Sequence, residues 1–436
     1  MGLNLLDAND APGAYPDSWY AATAQLSAPG PALTEDLRAD VVIVGAGYTG
    51  LSAAYHLAKS GRRVVVLEAQ RIGFGASGRN GGQLGSGQRK DQQELEKLLS
   101  RDHARTLWAY GEEAKALVRD LVATHAMPDV YLKPGIANTG STQADVDDLH
   151  QYADHMAQHY DYPHRILDAE ACQALCPSPD YKGGIVDDGA GHLHPLNFAL
   201  GLAQAAQAAG ARIFEQSRVT EITPGTKTRV ATAHGAVTAD HAILACNGYL
   251  GTLSDPVARH VMPINNFIAA TEPLGDRAET VLTEDIAVAD SRFVMNYFRL
   301  SHDRRLLFGG GESYGYRFPR DIATTVRKPM SVIFPHLKDI KIDYAWGGTL
   351  GITMRRLPYV TRPAPNVLSA SGYSGHGVGT ATHAGMLMAK AIQGDGAGFD
   401  TMSKIPALPF PGGPRLRSPL LVLAMTWYAM RDRLGL

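Results

Sequence analysis

The sequence predicts an α/β protein of two discontinuous domains, on three observations. Near the start, Val41-Val42-Ile43-Val44 runs into Gly45-Ala46-Gly47-Tyr48-Thr49-Gly50, and a helix-patterned segment and a second apolar strand follow. More than 300 residues later, Val367-Leu368-Ser369-Ala370-Ser371 runs into Gly372-Tyr373-Ser374-Gly375-His376-Gly377 and another helix pattern. Between them, residues 261–345 carry short apolar runs of strand length. Strand, glycine turn and helix at both ends describe a Rossmann-like dinucleotide domain closed by distant parts of the chain. The intervening insertions form a second, β-rich α+β domain.

The first unit carries the sharpest chemistry. Gly45 allows a tight turn, Gly47 lets backbone approach a pyrophosphate, and Gly50 lets helix and strand pack closely. Leu51, Ala54, Tyr55, Leu57 and Ala58 recur at helical spacing, and Gly61 sits where that helix stops. The pyrophosphate would lie at the helix N-terminus, where free N–H groups and the dipole favour negative charge. The second strand, Val64-Val65-Val66-Leu67, ends in Glu68, eighteen residues after Gly50. A carboxylate there accepts from both ribose hydroxyls and repels a 2′-phosphate, which disfavours NADP.

The other elements follow in order. Residues 1–36 read as an arm, rich in Pro, Ala, Asp and Gly, with Tyr15, Trp19 and Tyr20 as anchors. Residues 71–83, Arg-Ile-Gly-Phe-Gly-Ala-Ser-Gly-Arg-Asn-Gly-Gly-Gln, hold five glycines and too few side chains for a core element, so a flat ligand approaching the backbone is expected. Residues 91–126 read as helical. Pro195 opens a helix stopped by Gly210, and strands follow at 212–214 and 219–222, a hairpin at His234-Gly235, and a strand over 241–246. The expected division is an arm over 1–36, a cofactor domain from 37–90, 183–250 and 346–400, a substrate domain from 91–182 and 251–345, and a tail over 401–436.

Composition bounds the partners. The chain has 436 residues, 45% apolar and 19% charged, with a net charge of −2, so nothing points to nucleic acid. Cys172, Cys176 and Cys246 are the three cysteines; the first two resemble half a metal site without its second pair, so no metal is expected. No signal-like segment precedes Asp17, and a cytoplasmic location with reduced thiols is expected. Leu420 to Met430 is apolar nearly all round, flanked by Arg415, Arg417, Arg431 and Arg433. Docking within the protein or a homodimer is expected for it, with weak membrane-surface contact as the alternative to stable insertion. A monomer or a homodimer fits the sequence.

Taken together, these segments resemble the D-amino-acid-oxidase-type family of FAD oxidoreductases. Within it, the 71–83 loop, the 372–377 motif, the His-Leu-His-Pro core of 183–197 and the Pro409-Phe410-Pro411-Gly412-Gly413 tail resemble the γ-glutamylputrescine oxidase subfamily. The resemblance implies non-covalent FAD, because the region that tethers flavin in some relatives has no cysteine. It implies that Gly45, Ala46, Gly47, Tyr48, Thr49 and Gly50 hold the pyrophosphate and that Glu68 and Ala69 flank the ribose. Ala76, Ser77, Arg79, Asn80, Gly81, Gly82 and Gln83 would run beside the flavin ring. Val219 would offer backbone to the adenine, with Asn247 and Gly248 closing that side. Gly372, Tyr373, Ser374, Gly375, His376 and Gly377 would face the flavin pyrimidine from a helix N-terminus.

The implied activity is oxidation of the primary amine of γ-glutamylputrescine to an aldehyde, with release of ammonia and hydrogen peroxide and with oxygen as acceptor. A pipecolate- or sarcosine-type oxidase or dehydrogenase is the alternative, needing an arginine on the substrate carboxylate from among Arg292, Arg299, Arg355 and Arg356. A non-enzymatic dinucleotide-binding regulator is a third reading. His376 and Tyr297 are the candidate catalytic residues, and Tyr316 and Trp346 the candidate substrate contacts, with Tyr314 a further aromatic for the pocket wall. The alternatives are a turn histidine and ordinary core aromatics.

Overall fold

The computed structural model describes residues 4–292, 294–313 and 315–413. Phe293, Tyr314 and the Leu420 to Met430 helix expected from the sequence lie outside the described residues.

The Val-Val-Ile-Val run forms the strand Leu37–Val44 at the centre of the first sheet. It pairs in parallel with Val64–Leu67 on one side and Ala236–Leu244 on the other, in register Val42↔Val65 and Val42↔Ala242. Arg212–Phe214 extends the parallel sheet past Val64–Leu67, and Val367–Ser371 extends it past Ala236–Leu244. The antiparallel strand Tyr359–Ala364 closes that edge. Central parallel strands are covered on both faces, which is why they read as unbroken apolar runs. On one face the helices Tyr48–Lys59, Pro195–Ala208 and Gly377–Ile392 bury Leu51, Phe198, Leu202, Ala384 and Met388. On the other, Val42, Val65, Leu67 and Leu244 pack with Leu33, Val230 and Val257.

The second sheet is largely antiparallel, in the order Ile342–Ile352, Met262–Thr271, Leu306–Ser313, Tyr297–Leu300, Ala287–Asp290, Lys133–Gly140, Gly183–His192 and Gln83–Leu84. Its core holds Phe267, Phe298, Phe308 and Phe334, with Met330 from the helix Ile322–Ile333. Cys172 and Cys176 are buried in the same cluster.

The strand and helix packing differs from the expected division, beginning with Gln83–Leu84, which pairs in the second sheet. The strand Gly183–His192 belongs to the second sheet, pairing with Lys133–Gly140. The strand Ile342–Ile352 also belongs there, pairing with Met262–Thr271. The helix Arg101–Thr124 instead packs Leu107, Val118 and Leu121 into the first domain's core. Periodicity shows that a helix has an apolar face but not which sheet that face will cover. The arm's short helix Trp19–Thr23, capped by Ser18, buries Trp19 and Tyr20 against Leu196 and Trp346. Among the described residues, no helix is long and apolar enough to cross a membrane.

Candidate functional site

Both sheets line a cavity of about 460 Å³. The helices Tyr48–Lys59 and Gly377–Ile392 begin at its wall, so two dipole-positive N-termini face it.

The first glycines behave as their spacing requires. Gly45 has φ +105°, and a Cβ there would sit 2.8 Å from the Ala245 carbonyl oxygen. A Cβ on Gly50 would sit 2.0 Å from the Gly45 oxygen, so helix and strand could not approach as they do. Gly47 borders the cavity, and a Cβ there would meet the Ser77 hydroxyl at 2.8 Å. That hydroxyl accepts from the Tyr48 N–H at 3.0 Å and ties the flavin-type loop to the helix start. Thr49 pairs with the Tyr373 hydroxyl at 2.7 Å, joining the two motifs across the chain.

Glu68 is buried at the cavity wall. Its carboxylate accepts from the Ala46 N–H at 2.7 Å and the Gln70 N–H at 2.9 Å. Desolvation pushes its pKa up, against those two N–H bonds. A carboxylate offers about four lone-pair sites, so two remain for ribose hydroxyls.

The loop after the second strand turns through Ala76–Gly78. Arg79 is buried there: its Nε donates to the Phe74 carbonyl at 2.6 Å, and Nη1 donates to Asp10 at 2.9 Å and Gly347 at 3.1 Å. Asn80 donates to the Ala76 and Ser77 carbonyls and accepts from the Gly82 N–H, which fixes the turn into Gln83. Asn247 accepts from the Gly372 N–H at 2.9 Å and so links the middle strand to the closing motif.

Of the residues expected at the cofactor, Gly45, Gly47, Tyr48, Thr49, Glu68, Ala69, Ala76, Ser77, Arg79, Asn80, Gly81, Gln83, Val219, Asn247, Tyr373, Ser374, Gly375 and Gly377 border the cavity. Ala46, Gly50, Gly82, Gly248 and Gly372 are not among the lining residues. They shape the turns behind it, as the Ala46 and Gly372 N–H bonds and the close packing at Gly50 show.

The structure places His376, a candidate catalytic residue, beside the Gly85 loop. It does not line the cavity, and a Cβ built on Gly85 would lie 2.6 Å from its Cε1, so the imidazole packs against that loop. Burial lowers its pKa to about 4, and the ring is neutral at pH 7. Trp346, a candidate substrate contact, is not among the lining residues. It is buried in a cluster with Tyr20 and Leu196, and its indole N–H donates to the Arg79 carbonyl at 3.0 Å. Tyr316 is half-buried outside the cavity lining, where its carbonyl accepts from Asn9. Tyr297 does border the cavity; its hydroxyl donates to Asn266 Oδ1, and Asn266 donates to the Gly311 carbonyl.

The lining also includes Ile264, Asn266, Met295, Met354 and Arg89, which sequence reasoning did not place there, and Arg356, one of the four candidate arginines. The candidate arginines now separate. Arg292 is paired with Asp180 and Asp290, Arg299 donates to the Gly81 and Leu193 carbonyls, and Arg355 is not in the lining. Arg356 borders the cavity on a left-handed backbone of φ +57°. Asn247 and Ser374, also in the lining, share that conformation, of which sequence carries no sign when the residue is not glycine.

The cradle fits FAD: bare glycine backbone beside two helix N-termini, a buried carboxylate, and a cavity whose lining reaches Tyr297 at the second sheet. The D-amino-acid-oxidase family model, described as "FAD dependent oxidoreductase", matches residues 40–391. "Probable oxidoreductase OrdL" of Rhizobium meliloti is 43% identical over 418 residues, covering 95% of this chain and 97% of that protein. "Gamma-glutamylputrescine oxidoreductase" of Escherichia coli is 40% identical over 424 residues, covering 97% and 99%. The solved glycine oxidase of Geobacillus kaustophilus is 21% identical with a TM-score of 0.68, covering 82% of this chain and 95% of that one, and it shows the shared fold. The chain therefore belongs to the DAO family of FAD-dependent oxidoreductases.

Proposed function

We propose that the chain is an amine oxidase that converts the primary amine of γ-glutamylputrescine to an aldehyde, releasing ammonia and reducing oxygen to hydrogen peroxide. The observation that carries this reading is the 40% identity, over 97% of the chain, with the E. coli protein of that name. FAD, when bound, supplies the two-electron acceptor. The chain's own residues have three tasks around it. Ile264, Met295, Ile352 and Met354 line the cavity with apolar surface, which favours a neutral amine over an alkylammonium. The Tyr297–Asn266 pair offers a fixed polar edge for orienting the nitrogen. Arg89 and Arg356 put positive charge in the lining, suited to the carboxylate at the far end of the substrate. Binding energy from that remote end then positions the reacting carbon. The imine formed by loss of two electrons and two protons takes up water to give aldehyde and ammonia, and the same electrons and protons reduce oxygen to hydrogen peroxide. A cytoplasmic location belongs to the same reading, since Cys172, Cys176 and Cys246 are free thiols.

Arg356 also suits a second reading, oxidation of a cyclic or N-methyl amino acid whose carboxylate lies beside the reacting carbon. The test is anaerobic mixing of the yellow protein with single amines, then admission of air and peroxide detection. γ-Glutamylputrescine is expected to bleach the flavin fastest, with putrescine lower in kcat/KM by about tenfold for each ~1.4 kcal/mol of lost contact. Faster turnover of pipecolate or sarcosine overturns the substrate. Bleaching without peroxide makes the protein a dehydrogenase, and no bleaching by any amine favours a binding role.

A further inference from the structure

The N-terminal segment 4–16 has no strand or helix to hold it. Its side chains and backbone are instead tied to two parts of the cofactor cavity and to the second domain beside it. At the Glu68 end, Leu6 lines the cavity, and its carbonyl accepts from Gln70 Nε2 at 2.8 Å. Gln70 is the residue whose own N–H donates to Glu68, and its side-chain oxygen accepts from the Gly13 N–H. Asp7 pairs at 2.8 Å with Arg218, a lining residue next to Val219. At the glycine-rich loop, Asp10 pairs at 2.9 Å with Arg79, whose side chain is 1% exposed, and the Tyr15 hydroxyl donates to the Ile72 carbonyl. At the second domain, Asn9 donates to the Tyr316 carbonyl and accepts from the Phe318 N–H, both at 2.8 Å.

This pattern has a physical logic. Glu68 marks the ribose of the AMP half of a bound dinucleotide, so Leu6 lies over that half. An exposed ion pair such as Asp7–Arg218 adds little to folding and is better placed as a latch than as a prop. Arg79 is a buried cation in the wall, and Asp10 is its carboxylate partner, so the wall keeps its charge balance only while the segment lies across it. We propose that residues 4–16 are part of the FAD site: a strap in which Leu6 covers the AMP half and Asp10 neutralises Arg79, so that FAD leaves only when the strap lifts.

The test is the rate of FAD release from the full-length holoprotein, followed by flavin fluorescence on dilution, beside the thermal midpoint of each apoprotein. Leu6→Asp is expected to speed release about tenfold or more, since it puts a charge where a half-buried apolar side chain lines the cavity. Leu6→Ser gives the same reading should the aspartate variant fail to fold. Asp7→Arg is expected to speed release up to about fivefold, the most an exposed pair supports, and adding Arg218→Asp restores the slow rate. Apoprotein midpoints are expected to stay at the wild-type value. Release at the wild-type rate from both Leu6 variants overturns the strap. So does a lowered apoprotein midpoint that accounts for the faster release, or a double variant as fast as Asp7→Arg alone.

Discussion

Replacing Glu68 by alanine should cost the protein stability as well as cofactor affinity. The ribose role alone predicts a loss of affinity of roughly one to three kcal/mol, for a charged hydrogen bond removed from the ligand. The geometry adds a second cost that exists without any ligand. The carboxylate accepts from the N–H groups of Ala46 and Gln70, at 2.7 and 2.9 Å, and both residues are buried. Alanine leaves two buried donors without that partner, at about 1–3 kcal/mol each, so the apoprotein should lose about 2–6 kcal/mol. Glu68→Gln keeps one acceptor and should lie between the two. Urea unfolding of the apoproteins measures the loss of stability, and fluorescence titration with FAD the loss of affinity. An apoprotein as stable as wild type, together with weakened FAD binding, would refute the idea that this carboxylate holds the glycine turn.

Three other outcomes are expected. Acid precipitation should release the yellow chromophore into the supernatant, because FAD is non-covalent; colour held in the pellet refutes this. Tyr297→Phe should lower kcat/KM by about fivefold, for one lost hydrogen bond of about 1 kcal/mol, and leave the thermal midpoint near wild type; Trp346→Phe should do the reverse, since its N–H serves the Arg79 carbonyl rather than the cavity. Stability should fall as pH drops from 6.5 toward 4, because His376, His192 and His194 are buried neutral with pKa values lowered to about 4, 3 and 3, while the unfolded chain takes up protons near 6.5. Each contributes a slope of up to about 1.4 kcal/mol per pH unit, so His376→Gln should flatten the apoprotein's profile in that range, and an unchanged slope counts against a neutral buried ring.

By itself the sequence determined whatever is settled within a few tens of residues. The strand Leu37–Val44, the turn at Gly45, the helix Tyr48–Lys59 and the placement of Glu68 follow from local period and glycine geometry, and Gly50 had no alternative once helix and strand had to touch. The closing motif at 372–377 was legible for the same reason. The tertiary structure decided which face of each later element meets the cavity. Side chains alternate along Tyr297–Leu300 and Ile342–Ile352, and a period of two does not say which set points inward. Tyr297 falls on the cavity side, while Trp346 falls into the core beside Tyr20. Asn266, Arg89, Arg356 and Leu6 reach one wall from strands, turns and an arm hundreds of residues apart. That convergence is set by the packing of two sheets against each other, which no local pattern in the chain encodes.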